Sequence, residues 1–245
     1  RMDFVVANQQ LMTRVYHNDG ITMFSHSQTL TNTDNPDCGL DVADYDNDGD
    51  LDVAVTGWGG GQWTKVWRNV AGAFNDMGGL GLRQDQISNL AFGDYNNDGL
   101  PDIALSGINF DALDGLGSMV QIYRNTGSGF SLTQNLAPVQ NASLAWGDYD
   151  NDGDLDLAIG GDTSSIYRNN GDGTFTQVFS IASPGRFMAA WGDYDNDGDL
   201  DVMLGDKLYR NDNGTFQAVQ FIPGGRRSAW ADVDNDGDLD FASSS

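Results

Sequence analysis

Glutamate is missing altogether. All 36 acidic residues of the 245 are aspartate, set against 12 lysines and arginines, for a formal charge of −24. Glutamate favours helices and aspartate does not, so this choice argues against a helical protein. Cysteine occurs once, at Cys38, which excludes an intrachain disulfide and any cysteine-based zinc site. Histidine is limited to His17 and His26, and lysine to Lys65 and Lys207. No arranged nucleophile and base can be picked out, and the reading is of a protein that is not an enzyme. Positive charge is too sparse for nucleic acid or anionic lipid to be a partner. No apolar run approaches the length of a membrane-spanning helix, so no membrane insertion is expected. No secretory signal stands at the start, but the chain opens at Arg1 rather than Met, so that absence says little about location. Disorder, the bland reading of such acidity, is excluded by 39% hydrophobic and 11% aromatic residues arranged in ordered runs.

What is present is repetition. With 32 glycines and 5 prolines the composition suits short strands and tight turns. The phrase Asp44-Tyr-Asp-Asn-Asp-Gly-Asp-Leu-Asp52 returns at Asp94–Asp102, Asp148–Asp156, Asp193–Asp201 and Asp232–Asp240. A second phrase alternates with it: Val66-Trp-Arg-Asn, Ile122-Tyr-Arg-Asn, Ile166-Tyr-Arg-Asn and Leu208-Tyr-Arg-Asn, with Val15-Tyr-His-Asn as a variant. Each leads through a Gly- or Asn-rich turn to an aromatic residue: Phe24, Phe74, Phe130, Phe175 or Phe216. Apolar runs of strand length flank the Asp phrase, as in Ser143–Trp146 and Leu155–Ile159. The two later phrases supply a third and a fourth strand. Four short antiparallel strands per unit of roughly 40–50 residues is the signature of a propeller blade, in preference to a linear solenoid. The expected fold is therefore an all-β propeller of four-stranded antiparallel blades, a single domain over residues 1–245 with part-blades at 1–35 and 226–245. Those ends can close one shared blade and give five, although Met2–Ala7 and Leu239–Ala242 then compete for one strand position. A larger propeller, or a strand exchanged between subunits, accounts for that surplus.

The Asp phrase has the donor pattern of a calcium loop. Calcium takes six to eight oxygens in flexible geometry, and carboxylates at alternate positions offer them on one concave side. The candidate ligands of the first loop are Asp44, Asp46, Asp48, Asp50 and Asp52. Those of the second are Asp94, Asn96, Asp98, Leu100 and Asp102. Asp148, Asp150, Asp152, Asp154 and Asp156 form the third set, and Asp193, Asp195, Asp197, Asp199 and Asp201 the fourth. Asp232, Asp234, Asp236, Asp238 and Asp240 complete the five. Leu100 has no side-chain oxygen, so position seven ligates through its carbonyl, and the aspartates found there add charge without being required. Glycine at position six (Gly49, Gly99, Gly153, Gly198, Gly237) permits the reversal. Five Ca2+ ions would take the formal charge from −24 to −14, so metal binding is expected to be linked to folding. These are not EF-hands, because no glutamate stands at position twelve and no helix follows.

Phrases such as Trp146-Gly-Asp-Tyr-Asp-Asn-Asp-Gly-Asp-Leu-Asp156, with Ile166-Tyr-Arg-Asn and Phe175 after them, resemble FG-GAP/VCBS-type repeats. Such repeats build the integrin α-subunit propeller and occur in many secreted microbial proteins. Phe92-Gly93, Trp146-Gly147 and Trp191-Gly192 match the family's aromatic-Gly pair, while Val42-Ala43 and Trp230-Ala231 depart from it. The resemblance implies a propeller with calcium between strands one and two, and roles in adhesion, glycan binding or extracellular assembly. The seven blades common in the family exceed what this chain contains.

The leading expectation is a secreted or cell-surface module that binds a glycan, an extracellular protein or copies of itself. A propeller domain of a polysaccharide-degrading enzyme and a subunit of a fibre or surface layer are the alternatives. Trp58 and Trp63, on the Gly-rich segment Gly57–Thr64, and Phe110, within Gly107–Ser118, are the candidate ligand-binding aromatics, suited to stacking on a sugar face. The Arg of each Tyr-Arg-Asn or Trp-Arg-Asn phrase is expected to pair with aspartate between strands.

Overall fold

A computed structural model describes residues 3–8, 12–20, 23–31, 39–58, 62–79, 89–109, 117–140, 142–183, 188–222 and 227–244. Every regular element among them is a strand. The first sheet is β1 (Phe4–Asn8), β2 (Met12–Asn18) and β3 (Phe24–Thr31). Blade I is β4 (Leu40–Ala43), β5 (Asp52–Trp58), β6 (Gln62–Val70) and β7 (Ala73–Gly79). Blade II follows as β8 (Asn89–Gly93), β9 (Asp102–Asn109), β10 (Gly117–Asn125) and β11 (Phe130–Leu136). Blade III is β12 (Ser143–Gly147), β13 (Asp156–Gly160), β14 (Thr163–Asn169) and β15 (Phe175–Ala182). Blade IV is β16 (Ala189–Gly192), β17 (Asp201–Leu204), β18 (Lys207–Asp212) and β19 (Thr215–Phe221), and a last sheet pairs β20 (Arg227–Ala231) with β21 (Asp240–Ser244). Each blade is antiparallel in simple up-and-down order, and each first strand packs beside the first strand of the next blade. This is the propeller arrangement.

Core lies between the blades rather than within any one of them. A sheet covered on both faces needs apolar residues at consecutive positions, and the second strands have them. Val53, Ala54 and Val55 are buried, as are Leu157, Ala158 and Ile159. Blade II gives Val120, Ile122 and Leu136 to the same cluster as Leu144, Leu157 and Ile159 of blade III. Buried side chains of this size each contribute about 1.5–3 kcal/mol relative to exposure.

The aromatic-Gly pair has a steric cause. A Cβ on Gly93 would lie 2.6 Å from the indole of Trp146, one on Gly147 2.7 Å from Trp191, and one on Gly192 2.9 Å from Trp230. The glycine of one blade is thus the seat for the tryptophan of the next. Trp146 and Trp191 also donate their indole N–H back across that junction, to the Ala91 and Ala145 carbonyls at 3.1 and 3.0 Å. At the outer edge Gln28 and Gln134 imitate a strand. Each side-chain amide both donates to and accepts from the backbone of the Phe that opens the next fourth strand, Phe74 or Phe175.

Two expectations are modified. The ends do not merge into one shared blade: β1–β3 and β20–β21 are separate sheets, because β1 and β21 are both second strands. The segments after Gly57 and Gly107 are not wholly loop, since β5 and β6 extend to Trp58 and from Gln62, and β9 and β10 to Asn109 and from Gly117. Longer hairpin arms, with the register Gly57↔Trp63 and Asn109↔Gly117, take up part of each insertion.

Substituting Gly147→Ala should lower stability by about 1–3 kcal/mol, the usual range for overpacking. Urea denaturation at fixed calcium measures it, and an unchanged midpoint would show that Trp191 does not need that seat.

Candidate metal centres

Each Asp loop turns the chain from the first strand of a sheet into the second, and the reversal uses two left-handed residues. Position six is glycine, with φ between 86° and 97°, and position four is Asn47, Asn97, Asn151, Asn196 or Asn235, with φ between 56° and 61°. Glycine and asparagine are the residues that adopt this conformation most readily. The first aspartate then ties the loop off. In all five loops its two oxygens accept the backbone amides of positions five and six, at 2.8–3.1 Å. The fifth-position Oδ1 accepts the amide of position seven in the same way.

Position nine anchors the loop to the sheet. Asp52, Asp102, Asp156 and Asp201 are all 0% exposed. Their Oδ1 atoms accept the backbone amides of Asn69, Asn125, Asn169 and Asn211 on the third strand, at 2.7–2.8 Å. Oδ2 accepts the amide of Tyr45, Tyr149 or Tyr194 at position two, and in the second loop the Asn96 side-chain amide at 2.9 Å. Burial is the largest influence on these carboxyls. It pushes Asp52 and Asp201 up to about 6, and Asp102 and Asp156 up to about 7, against the opposing pull of those amides. Asp240, in the two-stranded sheet, is exposed. Asp3 takes the corresponding place ahead of β1: its Oδ1 accepts the Asn18 amide at 2.8 Å and its Oδ2 meets His17 Nδ1 at 3.1 Å.

The loops gather carboxylates. Asp44, Asp46 and Asp48 place one oxygen each within 4.8 Å of one another, as do Asp193, Asp195 and Asp197. In the third and fifth loops the trios include position nine: Asp148, Asp150 and Asp156, and Asp232, Asp234 and Asp240. Asp152 and Asp236 lie outside these two trios. In the second loop Asn96 breaks the set of acids, and its Oδ1 accepts the Asp98 amide at 3.0 Å. Asp94 and Asp98 keep the loop-closing bonds found in the other loops.

The donor set fits a hard cation. Asp46 Oδ1 and Asp150 Oδ1 are closed off from solvent and have no hydrogen-bond partner. A buried carboxylate oxygen without a donor is costly, and a metal ion satisfies it. Burial, followed by the Asp152 and Asp148 carboxylates, raises the pKa of Asp150. These clusters can hold a metal ion through oxygen donors alone, which favours Ca, Mg or Mn over Zn or Cu. Position-seven side chains lie outside the trios. Asp50 Oδ2 accepts the Ala71 amide at 2.8 Å and Asp199 Oδ2 the Asn213 amide at 3.1 Å, which puts the turn between strands three and four on the same face as the metal loops. Leu100 offers only its backbone carbonyl.

The arginines divide. Arg68 forms ion pairs with Asp46 and Asp48, and Arg124 with Asp98 at 2.9 Å. Arg210 turns to Asp212 at 2.6 Å, and Arg168 lies 3.5 Å from Asn170 Oδ1. Trp58 and Trp63 stand at the far end of the β5–β6 hairpin, away from the metal loop. Phe110 lies outside the described residues. Two sets of residues went unnoticed in the sequence reading: the position-four asparagines and the asparagine that ends each Tyr-Arg-Asn or Trp-Arg-Asn phrase. Their presence in every repeat was the available signal.

A carboxyl whose folded-state pKa is raised holds its proton more tightly folded than unfolded, so the folded state loses stability as pH rises from about 4 to about 7. In chelator, the urea midpoint should fall across that window, and Asp156→Asn should flatten the fall. Equal slopes for the parent and the variant would remove Asp156 from the account.

A model of the "FG-GAP-like repeat" matches residues 1–55, 44–105 and 148–204, well over half of the chain. No curated protein matches the chain. Among solved structures, the crystal structure of a protein from Lactobacillus plantarum aligns with a TM-score of 0.40 at 13% identity, covering 89% of this chain and 80% of that one. With blades, loops and matching residues in agreement, this chain belongs to the FG-GAP-like repeat family.

Proposed function

We propose that this chain is an extracellular calcium-binding propeller module that presents a binding or assembly surface and carries out no chemistry of its own. The observation behind the proposal is the trio of loop carboxylates that includes a solvent-excluded, donorless oxygen, as at Asp46 and Asp150. Five oxygen-bearing positions in each loop suit the larger and less exacting shell of calcium better than magnesium, which demands near-ideal geometry and keeps its waters. Up to five Ca2+ ions are accommodated, one per loop, with position seven contributing its carbonyl. Millimolar calcium outside cells fills even modest sites. The partner is a glycan or an extracellular protein, a second copy of the chain included. Trp58, Trp63 and Phe110 remain the candidate contacts.

Calorimetric titration and thermal melting with and without EDTA test the metal. A site held at one hundred times its dissociation constant contributes about 2.7 kcal/mol. At roughly 2–4 °C per kcal/mol for a domain of this size, calcium should raise Tm by about 5–10 °C for each site filled. Unchanged melting and circular dichroism after exhaustive chelation would end the calcium proposal, and equal stabilisation by magnesium would end its selectivity. A glycan array and a pull-down, each run with and without chelator, test the partner. An absence of binding in saturating calcium counts against the module's proposed role.

A further inference from the structure

The five loops form a linked row. Asn47 Nδ2 donates to the Gly99 carbonyl of the next loop at 2.6 Å. Asn97 Nδ2 donates to the Gly153 carbonyl at 3.2 Å and to Asp154 Oδ1 at 2.7 Å. Asn151 reaches the Gly198 carbonyl at 3.4 Å and Asp199 Oδ1 at 3.1 Å, and Asn196 reaches the Gly237 carbonyl at 3.4 Å and Asp238 Oδ1 at 2.8 Å. The amide is grasped by residues six and seven of the following loop, beside the position-seven carbonyl assigned to the metal. A return contact runs the other way. Asn125, Asn169 and Asn211 donate to the Tyr45, Tyr95 and Tyr149 carbonyls of the preceding loop at 2.7, 2.7 and 2.8 Å. Those tyrosines stand between the first and third ligands. Glycine would satisfy the left-handed backbone at position four equally well, and in the first four loops the Asn side chain adds the reach to the next loop.

We infer that the position-four asparagine is a positioning residue for the metal site of the next loop, and that calcium occupancy is thereby coupled along the row. The inference rests on the calcium reading above. An ion in the third loop fixes Gly153 and Asp154, which fixes Asn97 and with it the flanking ligands Asn96 and Asp98 of the second loop. Coupling of this kind is reciprocal, so each filled site raises the affinity of its neighbours. The second loop is the weak link, because Asn47 finds the Gly99 carbonyl there but, with Leu100 at position seven, no carboxylate.

Labelling the full chain with 15N-glycine gives a reporter in each loop: the position-six amides of Gly49, Gly99, Gly153, Gly198 and Gly237, followed by NMR during calcium titration. If none responds in the parent protein, the calcium reading itself fails. Where they respond, Asn97→Gly keeps the backbone and removes the amide. The calcium midpoint at Gly153 should then rise at least about three- to tenfold, the range for one of the two hydrogen bonds lost, while Gly237, two blades on, stays put. An unmoved Gly153 midpoint, or an equal shift at all glycines, overturns the inference. Leu100→Asp provides the opposite arm: it should tighten the Gly99 midpoint in the parent but not in an Asn47→Gly background. Added charge alone would act equally in both, so an equal gain also overturns the coupling.

Discussion

A carboxylate removed from water and held by two donors is the constraint on which this molecule depends. Asp52, Asp102, Asp156 and Asp201 stand where the loop enters the second strand, and each ties that point to the amide of an asparagine on the third strand. This fixes where the hairpin ends and which way the loop's other side chains face. It also leaves a buried negative group whose desolvation outweighs its hydrogen bonds, which is why these carboxyls hold their protons well above the usual range. A cation in the loop would offset that imbalance without disturbing the bonds. The blade and the metal loop therefore share one energetic problem rather than being a scaffold with an added site.

Between blades a different principle applies. No hydrogen-bonded ladder crosses from one four-stranded sheet to the next, so the junctions rely on shape and on single side chains that act as backbone. The glycine seat under Trp146 or Trp191 is a shape device, and its indole donor adds direction. Gln28 and Gln134 complete a two-bond pairing with Phe74 and Phe175 at the rim. At the junction of blades III and IV, Phe179 takes the register position that Gln134 has in blade II, and it packs against Phe216 at 5.6 Å. Polar mimicry and aromatic contact thus serve the same outer position.

Much of this was legible in the sequence because the repeats act as internal controls. The strands Ser143–Gly147 and Asp156–Gly160 lie where the apolar runs around one Asp phrase place them, since chain reversal at an Asp-Gly turn leaves little freedom. The pairing of Arg68 and Arg124 with loop aspartates was readable from opposite charges on neighbouring strands. What escaped is whatever depends on the next blade. Nothing local marks Gly147 as the seat of Trp191, because the two meet only across a junction 44 residues away in sequence. The role of Asp3 was hidden for a related reason: it does the work of position nine without the phrase that identifies position nine. The far hairpin ends were misjudged because Gly-rich segments read as loop, whereas register from the paired strands carries on through Trp58 and Asn109.

Arginine placement makes the five loops chemically unequal. A guanidinium already neutralises part of the first loop through Asp46 and Asp48, and the Asp50 backbone amide, with the Arg68 side chain after it, holds Asp48 below the usual carboxylate range. The second loop has two acids fewer, at Asn96 and Leu100, and Arg124 besides. In the third loop Arg168 lies 3.5 Å from Asn170 Oδ1 and acts on Asp150 through space, where Asp148, Asp150 and Asp156 gather. In the fourth, Arg210 is engaged by Asp212 instead. Coulomb repulsion between carboxylates a few ångströms apart is large where solvent is partly excluded, so a cation would relieve more in a loop of five aspartates than in the second, which has three. Taken with the side-chain links that run from loop to loop, this sets the least acidic loop between two of five aspartates, joined to each by an asparagine amide.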